Sequence, residues 1–346
     1  MPLTRRFPRK EMKYCNIPIF VPHKGCPFDC VFCNQKHITG TDDEVNEEYI
    51  KNTIEEHLKT LPKEDCTIEA AFFGGSFTGI DPETQTMFLS AAYEYVKNGS
   101  IDGIRLSTRP DYIDTAVLER LKKYGVTTIE LGVQSMNKDV LEKSHRGHTR
   151  EQVIKACSLI RKYPFKLGLQ MMTGLPGDTP ERSMQTADEI IALKPDFVRI
   201  YPTLVVRDTY LEKMYIKGEY RPQTVEEACT LCKGLLKKFN EADITVIRIA
   251  LQTTDEISPG GSITAGPFDA QFRERVEAMI YYDKMAELLK TEKKNNICIL
   301  VNDKEVSKAI GHKKENIAKL KKAFGINVKI KGSTIVKKGC CEIYDG

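Results

Sequence analysis

Short apolar runs alternate with amphipathic stretches along most of this chain. Tyr14–Pro22 reads as a buried strand, and residues 44–61 place Ile50, Ile54 and Leu58 at helical spacing. The same alternation continues with strand-like runs at Thr67–Phe73, Ile104–Thr108, Thr127–Val133, Phe165–Met172 and Phe197–Tyr201. Between them lie helical patterns at Pro82–Val96, with Asp81 as N-cap, Asp114–Tyr124, stopped by Gly125, Arg150–Tyr163 and Pro180–Leu193. Six strands separated by helices demand a parallel sheet with right-handed crossovers, so the fold class is α/β. Polar and glycine-rich segments follow the strand ends, where such folds place their chemistry.

The pattern then changes. Residues 203–289 read as helices (Glu212–Lys217, Val225–Asn240, Ala270–Leu289) around one more strand, Ile244–Ile249. Beyond them come Ile297–Val301, a helix Lys304–Ile310, a turn at Gly311–Lys314, a helix Glu315–Phe324 and a strand Ile326–Ile330, a small α+β unit. No internal repeat or low-complexity tract is present.

Charge separates the two regions. Residues 290–338 hold fourteen Lys, no Arg and four acids, a net +10, which leaves the rest at −6 against an overall +4. A basic module joined to a mildly acidic body suits a polyanionic partner. The competing reading is a solvated Lys-rich tail. No run of 18 apolar residues exists, so no membrane span is expected. The basic start, Met1–Lys10, lacks an apolar h-region, so no secretory signal is expected either. Eleven cysteines in such a chain read as reduced cytoplasmic thiols and metal ligands.

Three of those cysteines, Cys26, Cys30 and Cys33, lie at C-x3-C-x2-C in the stretch His23–Gln35. Thiolates are soft ligands suited to iron–sulfur clusters. Three within eight residues can cap three irons of a cubane and leave the fourth open to a small molecule. A structural zinc knot takes four ligands, and the nearest fourth candidates, His23, His37 and Cys15, sit at no familiar zinc spacing. With Phe32 before the last cysteine, the stretch resembles the radical S-adenosylmethionine (SAM) superfamily. That resemblance implies a partial (β/α)6 barrel, a 4Fe-4S cluster, SAM on its open iron, and an electron donor such as flavodoxin or ferredoxin.

It also implies site residues. Gly74-Gly75-Ser76 stands where the family receives the SAM amino group. Ser107, Arg109, Glu130, Gln134 and Ser135 follow the next strands and can meet the SAM carboxylate and ribose, an Arg fork suiting a carboxylate. A hydrogen bond that merely stabilises a loop is the alternative for each. Gln170 and Met172–Gly177, Gly174 among them, match the adenine-side motif, and Tyr201 supplies a last adenine contact or packs in the core. His145, Arg146 and His148 hold a loop or move protons. Cys229 and Cys232, at i and i+3 of an amphipathic helix, read as buried rather than as a second cluster.

Ser107–Tyr112, Glu130–Ser135, Arg146–Thr149 and Tyr201–Val206 occur in the order seen in the catalytic subunit of Elongator and its bacterial relatives. Gly266-Pro267-Phe268 and Phe272-Arg273 resemble the C-terminal extension of that group, with Asp269-Ala270 departing from it. The residues after 290 are too few for an acetyltransferase domain. In its place the βααβ unit resembles a KH domain, whose Ile-Gly-x-x-Gly loop grips a nucleic-acid backbone. Here the loop is Gly311, His312, Lys313 and Lys314, with Lys314 in place of the second Gly.

The expected organisation is a basic segment 1–13, a radical SAM barrel 14–205, an extension 206–289 and a KH-like domain 290–346. The expected function is reductive cleavage of SAM to modify an RNA base, in tRNA or rRNA. The alternatives are a radical SAM enzyme acting on a small molecule, peptide or tetrapyrrole, and a non-enzymatic RNA-binding module with a sensing cluster.

Overall fold

Strands rich in Val, Ile, Leu and Phe cannot expose both faces to water, and this chain stacks them edge to edge under a layer of helices. The computed structural model describes residues 13–21, 30–34, 45–62, 65–252, 258 and 260–344. The main sheet contains β1 (Lys13–Val21), β2 (Cys66–Gly74), β3 (Gly103–Thr108), β4 (Val126–Gln134), β5 (Lys166–Thr173) and β6 (Phe197–Pro202), all parallel and in sequence order. A seventh strand, Thr245–Ile249, pairs parallel with β6 and ends the sheet. The sheet is a curled half-barrel. The strand expected to belong to a separate extension is therefore part of it.

The helices between the strands start where capping chemistry dictates. Asp81, Asp114, Asn137, Thr149 and Thr179 each accept a backbone N–H at a helix start, and Thr149 with Gln152 forms a full capping box. Apolar outward-facing residues such as Leu106, Ile129, Leu131, Leu169 and Ile200 meet Ile50, Phe88, Leu118 and Val153 from the helices in one continuous core. Cys229 and Cys232 sit in this core, and burial pushes the Cys229 thiol up to about 11.

Cys15 and Cys66 are joined by a disulfide, contrary to the expectation of reduced thiols throughout. Adjacent strands cause it: Lys13 pairs with Cys66 and Cys15 with Ile68, so the two cysteines are diagonal neighbours. Cys15 is thereby removed as a fourth metal ligand.

The C-terminal unit forms its own three-stranded sheet. Asn296–Asn302 lies between Asn327–Ser333, parallel to it, and Cys341–Tyr344, antiparallel. Two helices, Val306–Ile310 and Glu315–Phe324, cross one face in the expected β-α-turn-α-β order, and the third strand was not anticipated. Its core reaches back to Tyr281, Met285 and Leu289 on the long helix Phe272–Leu289, so that helix belongs to both units. Polar contacts add to the junction. The Tyr281 hydroxyl donates to Glu305 at 2.6 Å, and Lys308 pairs with Glu277 at 2.8 Å.

Asn316, 1% exposed, donates from its side-chain amide to the carbonyls of Ala278 and Ala309 at 2.8 and 3.0 Å. Truncation removes both bonds. Asn316→Ala is expected to lower stability by about 1–3 kcal/mol in chemical denaturation. An unchanged midpoint would show that the amide does not join the two units.

Candidate functional site

Alternation along parallel strands sends every second side chain into the half-barrel, and in this chain those positions are polar. Glu69 on β2, Arg105 on β3, Thr128 and Glu130 on β4, and Arg199 on β6 face one another there. Arg105 donates to Glu69 at 2.7 and 2.9 Å and to Glu130 at 2.8 Å. Arg199 grips Glu130 through two bonds at 2.6 and 3.0 Å. Thr127 and Thr128 donate to Glu69 at 2.5 and 2.8 Å. Burial opposes the Glu69 charge, yet Arg105 and the two hydroxyls outweigh it and hold the carboxyl below its ordinary range.

This network settles the position of Glu130. Its carboxylate lies below the strand ends and is already matched to two guanidiniums, so it shapes the interior floor. Tyr201 stands one layer higher, its phenol 3.5 Å from Arg199. Gln170, half-buried, lies in register between Gly132 and Arg199.

Above this floor the strand ends converge. At the end of β2, Gly74 has φ +108°, and an added Cβ would lie 2.9 Å from the Val21 carbonyl oxygen, so only glycine fits. Gly75 N–H donates to the same carbonyl at 2.9 Å. Ser76 shares a 3.0 Å hydrogen bond with Thr108 and accepts from the Arg109 N–H, tying the ends of β2 and β3. The Arg109 fork is bidentate to Asp111, at 3.0 and 2.9 Å, so it already meets a carboxylate of its own chain. Gln134 ends β4 with a left-handed φ of 65°, next to a register shift in the strand pairing. Such backbone strain gathers at functional sites.

The cysteine segment enters from the side. Cys26, His23 and His37 lie outside the described residues. Cys30 and Cys33 close a tight turn, Cys33 N–H to Cys30 carbonyl, 3.0 Å. Val31 within that turn is held from both sides: its N–H donates to Ser144, and its carbonyl accepts from the Leu211 N–H at 2.7 Å. Arg146, buried, donates to the Gly132 carbonyl at 2.8 Å and reaches the Cys30 sulfur at 3.6 Å. An added Cβ at Gly132 would lie 2.7 Å from this guanidinium, which accounts for the glycine. Arg146 is thus a candidate site residue, where the sequence suggests only a role in holding a loop or in proton movement beside His145 and His148. Its signal in the sequence is the Arg146–Thr149 motif of the family resemblance.

Several buried polar atoms at this mouth have no partner among the described residues: Ser107 Oγ, Gln134 Oε1, Ser144 Oγ, Arg146 Nε and His148 Nδ1. Buried polar groups are normally satisfied, so such a cluster makes this mouth the candidate ligand site. His148 sharpens it. Its Nε2 lies 3.1 Å from the Val133 carbonyl, which can only accept, so Nε2 carries the proton and Nδ1 presents a lone pair. Burial, then Arg146 and Arg109, push this imidazole down from 6.5 to about 3, keeping it neutral. Acceptors at Gln134 and His148, hydroxyls at Ser107 and Ser144, a bare glycine backbone and the Cys30 sulfur beside a guanidinium form a donor set that fits a polar nucleoside next to a thiolate-held cluster.

Gly174, by contrast, faces a separate cleft. Its N–H donates to Asp178 at 2.8 Å and its carbonyl accepts from the Tyr220 hydroxyl at 2.6 Å. Gly311–Lys314 lie on the C-terminal unit. Lys313 and Lys314 are both exposed and left-handed, at φ 48° and 63°.

The profile of the Radical SAM superfamily matches residues 20–190, and that of the Radical_SAM C-terminal domain matches 195–282. The chain is a radical SAM enzyme. Its cofactors are the family's 4Fe-4S cluster and SAM. Among curated relatives, a tRNA uridine(34) acetyltransferase of Methanocaldococcus jannaschii is 32% identical over 207 residues, 53% of this chain and 38% of that protein. Human Elongator complex protein 3 is 31% identical over 201 residues, 52% of this chain and 37% of that protein. The chain spans under two fifths of the length of these relatives. Archaeal Elp3 of Methanocaldococcus infernus, with residues 1–46 deleted, superposes with a TM-score of 0.61 at 23% identity, covering 79% of this chain and 64% of that one. This radical SAM enzyme therefore has Elongator-like relatives and the same fold. No helix among the described residues is long and apolar enough to cross a membrane.

His148 gives a pH signature. An unfolded chain takes up a proton below about 6.5 that the folded imidazole refuses, so stability falls as pH drops from 6.5 toward 3. From about pH 7 to pH 5 the wild type is expected to lose about 2 kcal/mol more than His148→Gln. Parallel pH profiles in urea denaturation would refute the buried neutral imidazole.

Proposed function

We propose that this radical SAM enzyme modifies an RNA base, with tRNA as the favoured substrate. Cys26, Cys30 and Cys33 would hold the cluster, whose chemistry when bound would be one-electron reductive cleavage of SAM with release of methionine. Gly74 and Gly75 leave backbone open to the SAM amino group. Ser107, Gln134 and His148 offer hydrogen-bond partners to its polar atoms, while Arg146 keeps positive charge against the Cys30 sulfur. Glu130 shapes the floor below, with Tyr201 one layer above it. An external one-electron donor, of flavodoxin or ferredoxin class, completes the set of partners. Residues 14–205 serve as the catalytic barrel, 206–289 as its extension, which lends the strand Thr245–Ile249 to the barrel sheet, and 290–346 as the KH-like RNA module.

The observation that carries the RNA reading is the loop Gly311–Lys314. Glycine is the residue that tolerates positive φ, yet here two lysines adopt it at the exposed tip between two helices. The loop is a tight turn that carries two exposed cations. It sits in the segment of net charge +10. Names of relatives that act on tRNA uridine support the same substrate class. A base stacked in a duplex cannot reach a barrel interior, so the target lies in a loop or is flipped out.

Cys30→Ala is expected to abolish both cluster assembly and reductive SAM cleavage in anaerobically reconstituted protein. Normal cleavage by that variant would remove the ligand assignment. Changing Lys313 and Lys314 together to Glu is expected to weaken RNA binding and to reduce the slope of log affinity against log salt by about one or more. An unaltered titration would make the module a structural cap. Mass spectrometry of RNA nucleosides from cells with and without the protein identifies the product.

A further inference from the structure

A second recess opens beside the barrel mouth. The turn Gly174–Thr179, the helix Tyr210–Ile216 and the start of the helix Val225–Glu241 enclose a cleft of about 1250 Å³. Its wall includes Leu175, Pro176, Met214 and Tyr220, and its rim carries His145 and Tyr210. These two rings stack, with centroids 5.9 Å apart and planes 28° from parallel. Tyr210 is 52% exposed, and its helix also presents Tyr215 and Ile216 to solvent.

The rings are held in place by their backbones. His145 has a left-handed φ of 52° and its N–H donates to Glu142. Tyr210 opens its helix directly after the N-cap Thr209. Their immediate neighbours, Ser144 and Leu211, are the two residues that hold Val31 in the cysteine turn. The ring pair is therefore fastened to the shoulder of the cluster segment, between the mouth and the cleft.

Charge limits what the cleft accepts. Asp178, Glu219, Glu226 and Glu227 line it against Lys143 and Arg221. A phosphate in that wall would meet more acids than bases, whereas an uncharged base or ribose meets no such repulsion. Lys213 on the helix that carries Tyr210, and Lys217 capping its end, stand exposed outside the cleft.

We propose that His145 and Tyr210 form a stacking platform for an unpaired nucleobase of the RNA substrate, with the adjoining cleft receiving that nucleotide. The proposal rests on the RNA reading given above and adds a second contact site, distinct from the Gly311–Lys314 loop. Aromatic rings are sequence-tolerant surfaces for splayed bases. A rigid exposed pair next to the reaction centre would fix the nucleotide beside the one being modified.

The test uses the full chain with its cluster, a stem–loop RNA carrying a fluorescent purine analogue in the loop, and a blunt duplex of equal length. Tyr210→Leu keeps an apolar side chain at an exposed position, and Tyr210→Phe keeps the ring. Tyr210→Leu is expected to weaken stem–loop binding about tenfold or more and to abolish the stacking-induced quench, with Tyr210→Phe retaining both. His145→Ala is expected to act in the same direction. Failure of the wild type to bind either RNA would overturn the RNA reading together with the platform. Equal binding and quench by wild type and Tyr210→Leu would overturn the platform alone. A Tyr210→Leu protein that binds the stem–loop normally but accepts electrons poorly from flavodoxin, compared with dithionite, would make this face a protein-docking surface and also overturn the proposal.

Discussion

Four charges inside the half-barrel hold its curvature. Glu69, Arg105, Glu130 and Arg199 come from four strands and balance to zero, with two threonine hydroxyls completing Glu69. Burying ions in this way is costly unless each is matched. Removing one member of such a set leaves a stranded charge worth about 3–5 kcal/mol of destabilisation. The network does more than stabilise. It fixes the relative register of β2, β3, β4 and β6, and so the positions of the strand ends that make the mouth. Aromatic faces at Phe197 and Phe73 lie against Arg105 and Arg199, covering what the carboxylates leave.

Once the strand ends are fixed, the cofactor chemistry is a matter of small residues and unspent polar atoms. Gly74 and Gly132 make room, the first for the backbone of β1 and the second for Arg146. Gln134 takes a strained backbone so that its side chain reaches over Gly132. The cysteine turn is not self-supporting. Its middle residue is hydrogen-bonded to two distant segments, after β4 and after β6, and a small apolar cluster of Val31, Val205, Leu211 and Tyr220 lies beneath it. The segment that carries Cys30 and Cys33 is thereby positioned by elements far from it in sequence.

The two ends of the molecule divide the work of recognition. The C-terminal unit carries the net positive excess, +10 over residues 290–338 against −6 elsewhere, and presents two of its lysines at a tight turn, an arrangement suited to a phosphate backbone. The mouth carries little net charge and offers rings, amides and hydroxyls, an arrangement suited to bases and ribose. A long helix, Phe272–Leu289, lies in both cores and makes the spacing between them a fixed property of the chain.

Periodicity in the sequence was enough for the six strands, their intervening helices and the βααβ order, because each depends on local apolar spacing and capping. The cysteine spacing determined the cofactor class, since ligand type and separation act within one loop. Other features waited for the tertiary structure. Thr245–Ile249 joined the main sheet because only pairing with β6 could cover its edge. Glu130 became part of the floor, since its depth along β4 is set by neighbouring strands. Cys15 met Cys66 through strand register, and His145 met Tyr210 across 65 residues through the clamp on Val31. The sequence alone determined which residues could do chemistry and on which kind of element each would lie. Tertiary structure decided which of them already satisfy one another and which remain open to a ligand, because partnership is a matter of three-dimensional distance.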